Sequence, residues 1–525
     1  MLKKINNLLK EKPKYYQQHL QAEWNQQFIS QLLVLIKKKQ IDVVLAHFNH
    51  LDSHQERVLN ELIKLVMSMI QQNQLNQALA LCQNILQQDI KNAELLHLTG
   101  LIYAMNKQYP KSIEYIQQAV KINPLSYPYI NNLALSHLLF NQREIAMHYF
   151  EYATLLSDTE KEALQRYDGL VRTGITSNRT KIAYYTLDNL TFAISRLRVI
   201  DPLIYLQDNF TLLYGIKQFG KQLEIQLDIL QHADLIVVQR GFPCAETQKF
   251  VDAILQSGKP IIYETDDLLT ESSLTKEAFN HVQRPDYQKK SPFIKQFIQA
   301  ATVVSVSTEF LQEQYSDLND NIVVLPNLLN DVLWQFPEKD HTQQDKLIIG
   351  FAGSQGHMED LRMIEDVLLA IYAKYRNKIA FSFIGCITDQ LKALPYSTFT
   401  EANSQYVGWS TRLRNAKFDI AVVPLIDHPF NQCKSHIKWL EYSALGIPAI
   451  FSNLAEYKKN VTHLQTGLLV ENNFDSWFTA LEMLINDNLL AKRIGQTAKQ
   501  FVMENYTLFK KGETQYLNFY QSLLS

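Results

Sequence analysis

The residues best placed to do chemistry lie in the stretch NQCKSHIKWLEYSALGIPAIFS, positions 431–452. Nothing between Ser435 and Leu445 breaks a helix, Gly446 can adopt the left-handed cap conformation, and Pro448 prevents the helix from resuming. The apolar run 449–451 then reads as a buried parallel strand. Helical spacing predicts that Lys434, Lys438 and Glu441 share a face, because residues i, i+4 and i+7 are neighbours. Two cations and a carboxylate beside a helix N-terminus suit a ligand with a diphosphate and a ribose. The lysines would supply positive charge to the first, and the glutamate an acceptor to the hydroxyls of the second. The competing reading is an amphipathic helix whose lysines are only solvated.

At these residues the chain resembles the C-terminal signature of GT-B nucleotide-sugar glycosyltransferases, especially family 4 of the retaining enzymes. In that family the glutamate before the Ala-x-Gly-x-Pro turn holds the donor's ribose, which implies that role for Glu441. The usual pattern has a second glutamate eight residues earlier, facing the donor sugar, where this chain has Cys433. The segment 434–442 is similar instead to a Lys-Ser-x-x-Lys-x-x-Glu-Tyr variant of the signature. That departure bears on which sugar is carried more than on the fold.

Further candidates follow predicted strands. After the run 347–351 comes AGSQGHMEDL, with Gly350, Gly353 and Gly356 around Ser354 and His357. Glycines let a backbone approach a phosphate, and the next helix would aim its N-terminus at the same place. The spacing is not GxGxxG, so it does not indicate a dinucleotide. The family resemblance implies donor contact by Gly353 and Ser354, and an ordinary tight turn is the alternative. In IIYETDDLLTE, Asp266 and Asp267 lie just past a strand, where carboxylates can contact an acceptor hydroxyl or assist proton transfer. This segment resembles one in bacterial surface-polysaccharide glycosyltransferases. A plain helix N-cap is the other reading. Arg196 and Arg198, Arg240, and the group Arg412, Arg414 and Lys417 are weaker anion-binding candidates, without specific spacing.

The elements that must hold these residues are legible in the periodicity. Runs at 181–185, 235–239, 260–264, 303–307 and 322–325 predict one series of buried strands, and runs at 347–351, 380–384, 405–407, 419–423 and 449–452 a second. Helical patterns between them imply two doubly wound parallel sheets in tandem, joined near 327–346, with ligands expected in the cleft between. Before them, windows with a period of 34 align Leu62, Leu96 and Ile130, then Val66, Gly100 and Ala134, then Met69, Tyr103 and His137. Further along they align Ala78, Ser112 and Ala146, then Cys82, Ile116 and Phe150, then Ile85, Ala119 and Ala153. Small residues recur where paired helices must approach, the tetratricopeptide pattern. The expected fold is therefore α plus α/β. It comprises a helical region 1–58, read as a degenerate or capping repeat, tetratricopeptide repeats at 59–165, and GT-B Rossmann-like domains at 178–335 (acceptor) and 340–505 (donor). A C-terminal helix, 506–525, would pack back on the first sheet through Tyr506, Phe509, Tyr516, Phe519 and Tyr520.

Composition restricts the alternatives. The 525 residues allow about three domains, and a formal charge of -2 provides no general attraction to nucleic acid. Cys82, Cys244, Cys386 and Cys433 are widely separated, which suggests neither a disulfide framework nor a zinc site. The start lacks a signal peptide's apolar core, so a cytoplasmic protein is expected. Lys3, Lys4, Lys12, Lys14 and the lysines at 37–39 offer peripheral contact with anionic lipid at the inner face of the membrane, or simply solvated helix ends.

The resemblance implies a metal-independent, retaining glycosyltransferase. It would need no cofactor beyond a UDP- or GDP-linked sugar and would act on a lipid-linked or surface-glycan acceptor. Lys434 and Lys438 would neutralise the diphosphate as the glycosidic bond breaks. A protein glycosyltransferase gripping a polypeptide through its repeats, a non-enzymatic scaffold, and a hydrolase or epimerase remain alternatives. Repeats joined to GT-B domains also resemble protein O-GlcNAc transferases, but only in architecture. Asn131 and Asn132 have His97 and Leu98, and Ile63 and Lys64, at equivalent positions rather than asparagines. The repeats are expected to bind a protein partner or mediate self-association.

Overall fold

The computed structural model describes residues 55–87, 92–124, 126–154, 156, 162–172, 179–219, 222–270, 284–334 and 346–524. The expected helical region before residue 55 and its lysines lie outside the described residues. The chain forms two compact units, one all-helical and one containing both sheets. Among the described residues no helix is long and apolar enough to cross a membrane.

The helical unit contains Gln55–Gln71, Leu75–Leu86, Ala93–Met105, Tyr109–Ile122, Tyr127–Leu139, Arg143–Thr154 and Glu162–Arg172. Its period is visible in the backbone as well as in the side chains. Asn73, Lys107 and Asn141, 34 residues apart, all have positive φ, at 57°, 59° and 63°. Each closes the turn between two helices of a pair, a conformation that asparagine tolerates better than lysine. The aligned small residues Ala78, Ser112 and Ala146 are fully buried, as are Cys82, Ile116 and Phe150. A methyl group on Gly100 would overlap Ile116, so the helices meet at that glycine.

In the second unit the first sheet consists of β1 (Thr180–Tyr185), β2 (Phe210–Tyr214), β5 (Leu235–Gln239), β6 (Ile261–Thr265), β7 (Val303–Val306) and β8 (Ile322–Val324). Strands β3 (Ile216–Phe219) and β4 (Gln222–Ile225) form a separate antiparallel hairpin. The second sheet contains β9 (Leu347–Ala352), β10 (Ile379–Ile384), β11 (Ser397–Thr400), β12 (Ile420–Val423), β13 (Ala449–Ser452) and β14 (Leu468–Val470). The orders are β2-β1-β5-β6-β7-β8 and β11-β10-β9-β12-β13-β14, with parallel pairing throughout. Each sheet is therefore doubly wound, confirming the pair of Rossmann-like domains. The order reverses beside β1 and β5 in one sheet and beside β9 and β12 in the other. Ligand crevices in such sheets open outside the carboxyl ends of those strands.

Two strand expectations need correction. Residues 405–407 are not a strand; they open the helix Tyr406–Asn415, anchored by the Tyr406 amide donating to the Thr191 carbonyl at 2.8 Å. The strand in that place is β11, whose Ser-Thr-Phe-Thr sequence is half-exposed at the sheet edge and so lacks a continuous apolar run. Each sheet also has a strand not anticipated, β2 and β14. At the C-terminus, Tyr520 packs on Phe210 of β2 at 5.4 Å between ring centroids, whereas Phe509, expected to pack with it, is 68 % exposed.

Candidate functional site

The second sheet's switch point gathers most of the donor-site candidates. Gly353 follows β9 directly, and Ser354 is exposed at the start of the short turn Gln355–His357. The helix expected over 435–445 is found as Ile437–Ala444, preceded by the short helix Pro429–Gln432. Lys434 therefore reaches the site from a turn and not from the helical face predicted for it. Its Nζ lies 4.9 Å from the centroid of Phe430. Gly446 does take the left-handed conformation, with φ 68°.

Lys438 and Glu441 sit one helical turn apart. Nζ of Lys438 is 5.4 Å from the centroid of Phe351 on β9. A methyl on Gly353 would stand 3.1 Å from that ammonium, so the absence of a side chain there is what lets the cation approach the loop backbone. Burial lowers the Lys438 pKa to about 8, with Lys434 adding repulsion and Asp360 opposing it. Glu441 is 5 % exposed, and its Oε2 accepts a hydrogen bond from Trp409 Nε1 at 3.1 Å. Burial raises its carboxyl to about 7, against the indole bond, which favours the ionised form. Trp409 lies on the helix that replaced the predicted strand, and its contact has no signature in local spacing.

Across the cleft, the carboxyl ends of β6, β7 and β8 face segment 433–435. Thr308 Oγ1 donates to the Cys433 carbonyl at 3.0 Å, and Asn327 Nδ2 to Ser435 Oγ at 2.8 Å. Asp266 and Asp267 follow β6, and no helix begins at either, which removes the N-cap reading. Instead they share a guanidinium: Arg240 Nη2 donates to Asp267 Oδ2 at 2.9 Å and to Tyr287 Oη at 3.0 Å. Arg240 Nη1 lies 3.7 Å from Asp266 Oδ1, and its Nε 3.9 Å from Asp188 Oδ2. Burial, then the adjacent Asp267 charge, raises the Asp266 carboxyl well above the usual carboxylate range. Arg240 thus belongs to the acidic side of the cleft as an ion-pair partner.

Arg196 and Arg198 do not line the cleft. They are 1 % and 2 % exposed, with Arg196 paired to Asp201. Arg198 Nε donates to Glu264 Oε1 at 2.6 Å, and its Nη1 donates to the Leu325 carbonyl and Asn327 Oδ1. Buried pairing of this kind consumes the charge that made them look like anion ligands. Arg412 donates to the Glu401 carbonyl. Among the described residues no three His, Cys, Asp or Glu side chains gather to hold a metal ion.

No sequence-family model matches the chain, and no curated protein matches it. Solved structures are similar in form. Sucrose-phosphate synthase from Thermosynechococcus elongatus is 14 % identical with a TM-score of 0.48, the likeness covering 66 % of this chain and 99 % of that one. Anabaena HepE in complex with UDP and glucose is 13 % identical with a TM-score of 0.47, over 66 % of this chain and 100 % of that one. A Thermobaculum terrenum O-GlcNAc transferase mutant is 13 % identical with a TM-score of 0.40, over 89 % and 98 %. These values are too low to transfer an activity.

Proposed function

We propose that the chain is a glycosyltransferase of the GT-B type, resembling family 4, that transfers a sugar from a UDP- or GDP-linked donor to a lipid-linked or surface-glycan acceptor. The observation that carries this reading is the Lys438 ammonium held against Gly353 at the end of β9, with Glu441 one helical turn further along. That arrangement offers positive charge to a diphosphate, a bare backbone to approach it, and a carboxylate for ribose hydroxyls.

In the reaction, the bond from the sugar's anomeric carbon to the diphosphate oxygen breaks and one to the acceptor oxygen forms. Lys434 and Lys438 neutralise the departing diphosphate, the role that a metal ion fills in other glycosyl transfers. The acceptor's hydroxyl proton passes to Asp266, whose raised carboxyl is a stronger base when ionised than an ordinary aspartate. Asp267 beside it is held in place by Arg240. Retention of configuration rests on the family resemblance alone. We read the 34-residue helix-turn-helix units as tetratricopeptide repeats that hold a protein partner or a second copy of the chain.

The test is acceptor-dependent release of nucleoside diphosphate from UDP- and GDP-sugars, with lipid extracts and purified polypeptides as separate acceptors. Release driven by lipid, and reduced about 100-fold or more in Asp266→Asn, is expected. Transfer to polypeptide alone would move the acceptor to protein, and release of free sugar without any acceptor would make the chain a hydrolase.

A further inference from the structure

The loop after β9 contains a histidine whose two nitrogens are treated differently. Nδ1 of His357 lies 2.8 Å from Oδ2 of Asp360. The other Asp360 oxygen accepts from the Ile426 amide at 2.9 Å and from Asn431 Nδ2 at 3.2 Å. Asp360 is 4 % exposed; burial alone would raise its carboxyl, but the His357 contact and the Ile426 amide hold it below its ordinary value. An ionised carboxylate only accepts, so the imidazole proton is at Nδ1 and the lone pair at Nε2. No hydrogen bond occupies Nε2 among the described residues.

The imidazole stands against the donor loop: a methyl on Gly353 would lie 3.1 Å from His357 Cβ, 3.2 Å from its Cδ2, the carbon bonded to Nε2, and 3.1 Å from Lys438 Nζ. Burial, then the charges of Lys438 and Lys434, push the His357 pKa down to about 3 despite Asp360, so the ring is neutral at physiological pH. A lone pair repels phosphate oxygens and needs a donor, such as a hydroxyl.

We propose that His357 presents Nε2 as a hydrogen-bond acceptor to a hydroxyl of the sugar carried by the donor, with Asp360 as the positioning residue that sets its tautomer. This rests on the reading of the cleft as a nucleotide-sugar site. The ligand class is a nucleoside diphosphate bearing a neutral polyhydroxylated sugar. In Asp360→Asn the amide oxygen can keep the Ile426 amide while its N–H turns to Nδ1, which drives the imidazole proton to Nε2 and replaces the acceptor with a donor.

The experiment is calorimetric titration of the full chain with UDP, GDP, UDP-glucose and GDP-mannose, on wild type, Asp360→Asn and His357→Leu. It is accompanied by 15N spectra of histidine-labelled protein, in which the signals absent from His357→Leu belong to His357. We expect both variants to bind the free nucleotide within about twofold of wild type. Each should lose about tenfold of the wild type's sugar-nucleotide affinity, the worth of one hydrogen bond at ~1.4 kcal/mol. The 15N signature of His357 should change tautomer in Asp360→Asn. Equal weakening of nucleotide and sugar nucleotide, an unchanged sugar contribution, or an unchanged tautomer would overturn the inference and leave the proposed function standing. Failure of wild type to bind any of the four would overturn both.

Discussion

Replacing Lys438 with methionine should stabilise the protein while removing its hold on a diphosphate. The folded environment lowers this ammonium from 10.5 to about 8, chiefly through burial. At ~1.4 kcal/mol for each tenfold change in the protonation equilibrium, that amounts to ~3 kcal/mol against the charged form. The ring of Phe351 returns ~1 kcal/mol through its face, leaving a net cost of ~2 kcal/mol that methionine would not bear. With ~2 °C of melting temperature per kcal/mol in large domains, Lys438→Met should melt about 4 °C higher at pH 7. The sign with pH is definite. A depressed lysine disfavours folding fully below the folded value of about 8, and the cost disappears as pH rises towards the unfolded value of 10.5. The variant's advantage should therefore fall to under ~1 kcal/mol by pH 10, where most of the lysine is neutral in the folded state. Differential scanning calorimetry of both proteins at pH 7 and pH 10, with and without UDP or GDP, measures all of this. A variant that melts at or below wild type at pH 7, or keeps an equal advantage at pH 10, would refute the buried-cation argument.

Nucleotide affinity itself should pass through a maximum between pH 7 and 8. Glu441, raised to about 7, loses its acceptor charge as pH falls through that value, and Lys438 loses its positive charge above about 8; calorimetric titration from pH 6 to pH 9.5 checks this, and Glu441→Gln should flatten the acid limb. Arg198→Ala should cost ~3–5 kcal/mol of stability, because it leaves Glu264 buried without its partner, as denaturant titration would reveal; a loss of nucleotide affinity at unchanged stability would return Arg198 to the site. Gly353→Ala places a methyl 3.1 Å from both Lys438 Nζ and His357 Cβ, and should weaken nucleotide binding about tenfold, ~1.4 kcal/mol, while shifting melting by only a few degrees.

Strands buried on both faces were legible because they leave continuous apolar runs, as at Leu235–Gln239 and Val303–Val306. Phe210–Tyr214 was not, since the apolar residues from 203 to 216 fit a helix as well as a strand, and only pairing with β1 decides between them. Leu468–Val470 is too short to show any period. The repeat was readable in side chains, but its positive-φ turn was not, because Asn73, Lys107 and Asn141 share a backbone conformation and not a residue type.

In the site the same division holds. Lys438 and Glu441 were readable together because three residues along one helix bring side chains onto one face. Lys434 joined them for a different reason than helical spacing suggested. Trp409 and Asp360 act through approaches between separate elements, to which local pattern is blind. Arg196 and Arg198 resembled ligands because a cation after a strand end can serve either an anion or a buried carboxylate, and only the positions of Asp201 and Glu264 distinguish the two.

If the cleft binds a nucleotide sugar through Glu441 and the two lysines, thermal shift of wild type and Glu441→Ala with UDP, GDP and their sugar derivatives, in the presence and absence of magnesium, will separate the two proteins. At about 100 times its dissociation constant, one of these ligands should stabilise wild type by ~2.7 kcal/mol without magnesium, and the alanine variant should show little of that gain. No shift with any of them, or an equal shift in both proteins, would contradict the account.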